Sequence, residues 1–322
     1  MIGTKRRGRR RAIRAALIGL GLIVLILLTG CGEVAGSQEA LSGRLRIAGS
    51  TALQPLVNAA ATLFESQHPQ VRIQVDGGGS RAGLAAVTSR QADIGDSDIY
   101  ADPAIYPDPN LTDHIVCVIP FAMVVDPDVT VTSLTHQQII DIFSTGRISN
   151  WSQVGGPDLP IVPVVRPQTS GTRDTFRKYI LGGRDEKGKL LQTDSSVTVR
   201  ETVAHTPGAI GYLALSVLTP AVRVLAIEGA KPTLADIVAG RYSFWSYEHM
   251  YTLGDDSPLL SAFLDFMLSP PVQQKAQAMG YIPIAAMNLN GATGQGKKTS
   301  ALALAATTGP ERARFLGPRK EE

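Results

Sequence analysis

Several segments of this chain repeat one arrangement: a short apolar run, then a turn rich in Gly, Ser and Thr, then apolar residues at helical spacing. The clearest example begins with the run 45–47 and continues through the turn 49–51. The apolar positions that follow are Leu53, Leu56, Val57, Ala60, Ala61 and Phe64. This spacing is typical of an amphipathic helix that packs against a core. Repeated strand–turn–helix units predict an α/β fold.

Two further units share this pattern. The run 71–75 alternates with period two and leads through a glycine-rich turn to Ser80 and Arg81, after which Leu84 and Val87 begin a helix. The run 161–165 ends at Arg166 and is followed by the Ser-Gly-Thr turn 170–172. A fourth segment, 92–98, reads as a short strand that ends in two carboxylates, Asp96 and Asp98, around a hydroxyl.

These turns carry the chemistry of an anion site. The start of a helix presents free N–H groups and the positive end of the helix dipole, and Ser or Thr adds hydroxyl donors. Arg166 adds a forked, fully charged donor. Ligands of open α/β sheets bind outside the carboxyl ends of the strands. The sequence therefore predicts a site for a small tetrahedral oxyanion, whereas the alternative is that each hydroxyl only caps its own helix.

A carboxylate in such a site selects for a protonated ligand. An ionised Asp98 can accept a hydrogen bond from phosphate, which still carries a proton at neutral pH, whereas sulfate would meet an unpaired buried charge. Asp96 could take this role instead, and Asp98 could instead cap a helix or pair with Arg81 or Arg166.

The four segments, in this order, resemble the phosphate-binding proteins of phosphate ABC transporters, the PstS family of solute-binding lipoproteins. The resemblance covers roughly residues 45–284 and carries over to Thr51, Ser80, Asp98, Arg166, Ser170, Gly171 and Thr172. With the neighbouring Ser50 and Arg81, these form the predicted phosphate-binding set. Arg81 departs from the small residue that is frequent there, and its side chain could join the site or point to solvent.

The resemblance implies an α/β fold of type II, a two-lobed periplasmic-binding-protein-like clamshell with mixed sheets flanked by helices. We assign 45–122 plus 249–287 to lobe 1 and 123–248 to lobe 2. The apolar stretch 114–125 reads as a strand that crosses between the lobes, and the chain returns near 241–251. A ligand that bridges the lobes would favour the closed state.

The two ends of the chain read differently. Basic residues followed by an apolar run predict a lipoprotein signal peptide over 1–30, acylation of Cys31, and a membrane tether over 31–44. The segment 288–322 reads as a poorly ordered tail. We therefore expect a lipid-anchored protein on the outer face of the bacterial cytoplasmic membrane, on the periplasmic or extracellular side. The whole chain carries a net charge of +3, but removal of the seven basic residues in 1–30 leaves 24 basic against 28 acidic residues, which gives no basis for a nucleic-acid partner.

The predicted function is capture of inorganic phosphate and delivery to the ABC permease subunits in the membrane, and we expect the protein to act as a monomer. Alternatives are another oxyanion (molybdate, tungstate or sulfate) or a phosphate sensor without transport. An enzyme such as a phosphatase or serine hydrolase is disfavoured because the sequence has no Gly-x-Ser-x-Gly motif and its five His are scattered. We predict no cofactor and no metal, since His114 and Cys117 form only half a metal site.

Overall fold

The computed structural model describes residues 41–254 and 257–287. The predicted signal peptide, the lipidation site Cys31, most of the tether and the tail 288–322 lie outside the described residues. Within the described ranges, no helix is both long enough and apolar enough to cross a membrane.

Short strands and helices alternate along most of the chain, as the repeated sequence pattern predicts. The strands are β1 (Gly43–Gly49), β2 (Val71–Asp76), β3 (Ile94–Ser97), β4 (Leu111–Val125), β5 (Ser133–Leu134), β6 (Val162–Val165), β7 (Leu191–Gln192), β8 (Ala209–Ala214), β9 (Arg223–Ile227) and β10 (Trp245–Leu253). The α-helices are α1 (Gln54–Gln67), α2 (Ser80–Thr88), α3 (His136–Ile140), α4 (Gly171–Tyr179), α5 (Ser196–His205), α6 (Leu234–Val238), α7 (Pro258–Met267) and α8 (Pro270–Ala278).

The strands form one mixed sheet in the order β2-β1-β3-β10-β4-β8-β6-β7, and β9 pairs with both β4 and β5. Strand β1 runs parallel to β2 and β3, and β6 runs parallel to β7 and β8. Two parallel strand groups therefore lie on either side of the antiparallel pair β4 and β10. This confirms the mixed α/β fold class.

Strand β4 connects the two strand groups. Its first part, through Pro120, pairs with β10, and its last part, from Phe121 to Val125, pairs with β8 and β9. The strand, Leu111–Val125, contains the whole of the predicted crossing segment 114–125. The exact limits of the two lobes stay a prediction, although the change of partner at Pro120 lies close to the predicted limit at 122.

The helical stripes form the core. In α1 the predicted positions Leu56, Val57, Ala60 and Phe64 are all buried, and burial of a side chain such as Phe64 stabilises the fold by about 1.5–3 kcal/mol. Trp151 and Cys117 are also buried, and the apolar run 115–119 around Cys117 predicts the burial of that residue. The paired strands and the buried faces of the helices thus fix the positions of the strand ends and of the turns that follow them.

Candidate oxyanion-binding site

The turn after β1 is held tightly against β3. Gly49 has a φ of 140°, and a Cβ atom there would lie 2.1 Å from the carbonyl oxygen of Asp96, so only glycine fits. The N–H of Ser50 donates to that same carbonyl at 3.0 Å. The Ser50 hydroxyl then accepts the N–H groups of Ala52 and Leu53 at 3.0 and 3.1 Å. The Ser50 hydroxyl therefore binds N–H groups of the turn ahead of α1, whose own N-cap residue, Leu53, makes no side-chain cap.

Asp98 lies at the centre of the hydroxyl groups. The Ser50 hydroxyl donates to Oδ1 of Asp98, and the Thr172 hydroxyl donates to Oδ2 at 2.8 Å. The N–H of Asp98 donates to the Ser80 hydroxyl at 2.9 Å. Asp98 is buried, and it, rather than Asp96, is the carboxylate that these hydroxyls contact. The choice between the two that the sequence left open is thereby decided for these contacts.

Arg166 follows directly after β6 and is only 1% exposed. Its Nη2 donates to the Thr51 hydroxyl at 2.9 Å and to the carbonyl oxygen of Asp194 at 3.1 Å, and its Nη1 donates to the Ser196 hydroxyl at 3.1 Å. Its Nε has no partner among the described residues. Burial lowers the pKa of Arg166, and the negative charge of Asp98 opposes that effect.

The start of α4 approaches the same place. The Ser170 hydroxyl accepts the N–H of Arg173 at 3.3 Å and so caps the helix. A Cβ atom on Gly171 would lie 2.2 Å from Oγ of Ser80 and 2.9 Å from Cβ of Asp98. Because no side chain fits there, the backbone of α4 can approach α2 and the end of β3 closely.

The side chain of Arg81 takes a different position from the rest of the predicted set. Its guanidinium forms an ion pair with Asp174 at 2.9 Å, and the side chain is 43% exposed. Its backbone N–H donates to the carbonyl oxygen of Thr169 at 3.0 Å. The hydrogen bonds of this guanidinium thus tie α2 to α4 and do not reach the buried hydroxyl groups.

Sequence reasoning missed the groups that hold Arg166 in place. Asp194 and Ser196 lie at the start of α5, where Ser195 caps the helix by accepting the N–H of Thr198 at 3.1 Å. The Ser pair ahead of apolar Val199 is an N-cap signal that could have identified this helix start.

A second missed set lies behind Arg166. The Tyr212 hydroxyl donates to Oε1 of Glu186 at 2.8 Å and accepts the N–H of Arg166 at 3.4 Å. Glu186 also pairs with Arg173 at 3.0 Å. These contacts join β6, β8 and α4 through buried polar groups, and no local sequence pattern marks them.

Two more buried acids lie near Asp98. Asp96 is 1% exposed and Glu248, on β10, is 0% exposed. Burial first, and then the charge of Asp98, raise the pKa of both carboxyl groups. In the described ranges, no three His, Cys, Asp or Glu side chains are grouped so that they could hold a metal ion.

The arrangement combines a guanidinium, several hydroxyls, helix starts and one hydroxyl-bonded carboxylate. The structure brings together Ser50, Thr51, Ser80, Asp98, Arg166, Gly171 and Thr172, with Ser170 at the start of the same helix α4. These groups can bind an oxyanion through hydrogen bonds, and the carboxylate can accept one from a protonated oxygen.

Comparison with known proteins agrees with this fold. Residues 35–271 match the family model described as the PBP superfamily domain. The phosphate-binding protein PstS of Bacillus subtilis (strain 168) is 43% identical over 260 residues, which is 80% of this chain and 86% of that protein. PstS of Pseudomonas aeruginosa (strain PAO1) is 27% identical over 76% of this chain and 84% of its own length.

Comparison with solved structures indicates the same fold. A putative phosphate ABC transporter substrate-binding protein with bound phosphate, from Clostridium perfringens, has a TM-score of 0.71 at 26% identity and covers 75% of this chain and 100% of its own. An ABC-type phosphate transport receptor from Vibrio cholerae has a TM-score of 0.61 at 27% identity, covering 74% of this chain and 99% of its own. The two-lobed fold that the sequence predicts is thereby confirmed. The chain belongs to the PstS family of phosphate-binding proteins, within the PBP superfamily.

Proposed function

We propose that this protein binds inorganic phosphate outside the cytoplasmic membrane and delivers it to an ABC permease. One observation carries the proposal: a buried guanidinium, on Arg166, lies among hydroxyl donors beside a buried carboxylate, on Asp98. The guanidinium and the donors suit a tetrahedral anion, and the carboxylate suits one that still carries a proton. The names of the relatives, phosphate-binding proteins and a phosphate transport receptor, support the same ligand.

The contacts of Asp98 favour phosphate over other oxyanions. Its two oxygens accept hydrogen bonds from Ser50 and Thr172, which fix the orientation of the carboxylate in the site. An ionised acceptor repels sulfate, whereas hydrogen phosphate can donate its proton to it. Molybdate, tungstate and sulfate therefore remain the alternatives that a binding assay must separate.

We propose that the ligand lies between two lobes, 45–122 plus 249–287 and 123–248. The residues that form the site come from both: Thr51 from the first lobe contacts Arg166 from the second. The Ser216 hydroxyl also donates to the carbonyl oxygen of Ala52 at 3.1 Å across the same division. Phosphate bound among these groups would stabilise the closed arrangement.

The remaining parts of the proposal concern partners. We propose a monomer, anchored by lipid at Cys31, that does no chemistry on its ligand. A sensor without transport would use the same site, and an enzyme would reveal itself by turnover of p-nitrophenyl phosphate. Phosphate uptake by cells that carry or lack the protein separates transport from sensing.

The first experiment is thermal unfolding of the full chain, in detergent and stripped of ligand, with phosphate, sulfate, molybdate or no addition. At a ligand concentration of about 100 times Kd, binding adds about 2.7 kcal/mol of stability. We expect a clear rise in Tm with phosphate alone. A rise with sulfate or molybdate instead would change the ligand, and no rise with any oxyanion would contradict the site.

Asp98→Asn tests the selectivity. The amide keeps the size of the side chain but turns one acceptor into a donor, so hydrogen phosphate loses its acceptor and the repulsion of sulfate is relieved. We expect the ratio of the Kd values for sulfate and phosphate to fall by at least about tenfold, or about 1.4 kcal/mol. An unchanged ratio would show that Asp98 does not discriminate between a protonated and an unprotonated oxyanion.

A further inference from the structure

Glu248 is a buried acid whose carboxyl oxygens accept no hydrogen bond from the described residues. It is 0% exposed, and neither Oε1 nor Oε2 meets a donor among the described residues. An ionised carboxylate in such surroundings is very costly, and the usual outcome is that it keeps its proton. The acid is therefore neutral unless a cation lies beside it.

The strand register places Glu248 near the site. Strand β10 runs antiparallel to β3, with Met250 opposite Asp96 and His249 opposite Ser97. Glu248 is the next residue along β10, toward the end of β3 where Asp98 lies. On the other side, Glu248 pairs in the backbone register with Cys117 of β4, and a register shift follows between Glu248 and His249.

The titratable groups around Glu248 all favour its neutral form. Asp98 and Asp96 on the β3 side raise the pKa of Glu248, after burial itself. Burial raises the pKa of Cys117, on β4, and of Tyr281, which follows α8, and Glu248 adds to both effects. Asp96 and Glu248 are the two acids of this cluster whose pKa values are raised.

The guanidinium groups in and near the site bind groups other than Glu248. The guanidinium of Arg166 binds Thr51, Ser196 and the carbonyl oxygen of Asp194. The other two guanidiniums near the site pair with acids, Arg81 with Asp174 and Arg173 with Glu186. None of these contacts supplies a positive charge to Glu248.

We propose that Glu248 is a positioning residue of the phosphate site: its protonated carboxyl group lies behind Asp98, can donate its O–H to that carboxylate, and keeps the acidic cluster at a charge that a phosphate dianion tolerates. This inference rests on the proposed function. Loss of the proton would add a negative charge behind the ligand and weaken binding. At a pH at which Glu248 has lost its proton in the free protein, phosphate binding would be coupled to the uptake of one proton from solvent by Glu248.

The test compares the full chain, in detergent, with Glu248→Gln, which mimics the neutral acid in shape and charge. Phosphate Kd is measured from about pH 6 to about pH 10, and infrared spectra are recorded for the carbonyl band of protonated carboxyl groups. A single linked proton weakens binding by up to about tenfold per pH unit above its pKa. We expect that extra slope in the wild type, and not in E248Q, together with a loss of carboxyl-band intensity in E248Q.

Glu201→Gln is the matched control, because Glu201 lies on the exposed face of α5 with its side chain 58% exposed. It should change neither the band nor the slope. The band and its shift on exchange into D₂O are also measured without phosphate on the wild type and on Asp96→Asn, because Asp96 is the other acid with a raised pKa. A band that persists in D96N belongs to Glu248, so its protonation is tested even if E248Q fails to fold.

Two results would overturn the inference: a wild-type protein without a protonated-carboxyl band, or phosphate binding with parallel pH profiles in the wild type and E248Q. In both cases wild-type protein that still binds phosphate leaves the proposed function intact. Failure of the wild type to bind phosphate at any pH would overturn the proposed function and this inference together.

Discussion

At the scale of single residues, one of the tightest backbone approaches in the site is made by a residue without a side chain. Gly171 lets the start of α4 approach Ser80 and Asp98, where a Cβ atom would come within 2.2 Å of the serine hydroxyl. The contact is with buried groups, Ser80 at 0% exposure and Asp98 at 2%, that cannot move aside into solvent. Position 171 therefore requires glycine because α4, α2 and the end of β3 approach one another there, and not because of the conformation of the turn.

Gly171→Ala should weaken phosphate binding by at least about tenfold, or about 1.4 kcal/mol, because the methyl group pushes α4 away from Ser80. Titration calorimetry measures the change. Gly155→Ala is the control: Gly155 is left-handed at φ 81° with nothing near its Cβ position, so its replacement should lower stability without changing affinity. Equal affinity losses in the two variants would contradict this account.

Arg81→Ala should have a small effect, because its guanidinium binds Asp174 and is 43% exposed. Exposed ion pairs contribute about 0–1 kcal/mol, so affinity should fall by less than about fivefold, and less still at high salt. Asp174→Asn should have the same effect and add nothing in the double variant. A much larger loss in R81A alone would restore Arg81 as a ligand contact.

The sequence predicts site residues where a charged or hydroxyl side chain directly follows a strand. Asp98 directly follows β3 and Arg166 directly follows β6, in agreement with the strand pattern, and their contacts with a ligand stay a prediction. What it could not reveal depends on contacts between distant segments: Arg81 is drawn away by Asp174, 93 residues later, and Arg166 is held by Ser196, 30 residues later. A local pattern contains no information on such pairs.

At the scale of elements, helix starts decide the geometry of the site. Thr135 and Gln138 form a capping box at the start of α3, and Gly146 ends the helical segment that follows in the left-handed conformation. Helix α5 was not predicted as part of the site, although its cap is of the same kind. The difference is one of position, because α5 lies against Arg166.

These two caps provide a matched pair. Ser195→Ala and Thr135→Ala each remove a hydroxyl that accepts an N–H of the first helical turn, at a cost of about 1 kcal/mol of stability. Only Ser195→Ala should also lower phosphate affinity, by several-fold, since it loosens the helix whose Ser196 holds Arg166. Urea unfolding gives the stabilities and calorimetry the affinities. Loss of affinity in both variants would mean that general destabilisation is responsible.

At the scale of the whole molecule, the buried acids make stability depend on pH. The pKa of Asp96 lies well above 3.8 in the folded chain, first because of burial and then because of Asp98. As pH rises above about 3.8, the unfolded chain loses this proton while the folded chain keeps it, so the free energy of unfolding falls. The fall ends where the folded carboxyl itself ionises.

Asp96→Asn should remove that contribution. The stability of D96N relative to the wild type should therefore increase steadily from about pH 4 to about pH 8, whatever its value at the lower limit. Urea unfolding across this range measures the difference. Asp265→Asn, at an exposed position on α7, is the control and should show no such trend. A difference that is constant with pH would show that Asp96 titrates alike in both states.

The place of β10 in the sheet has a consequence for how the chain is made. Strand β10 is synthesised after all the other strands, yet it lies between β3 and β4 and pairs with both. A growing chain cannot complete the sheet until residue 253 has left the ribosome. Sheets that depend on such distant pairings fold slowly. A chain with this strand order therefore leaves the edges of β3 and β4 that face β10 unpaired until synthesis has passed residue 253, and the sheet that carries the Asp98 turn is completed only after that point.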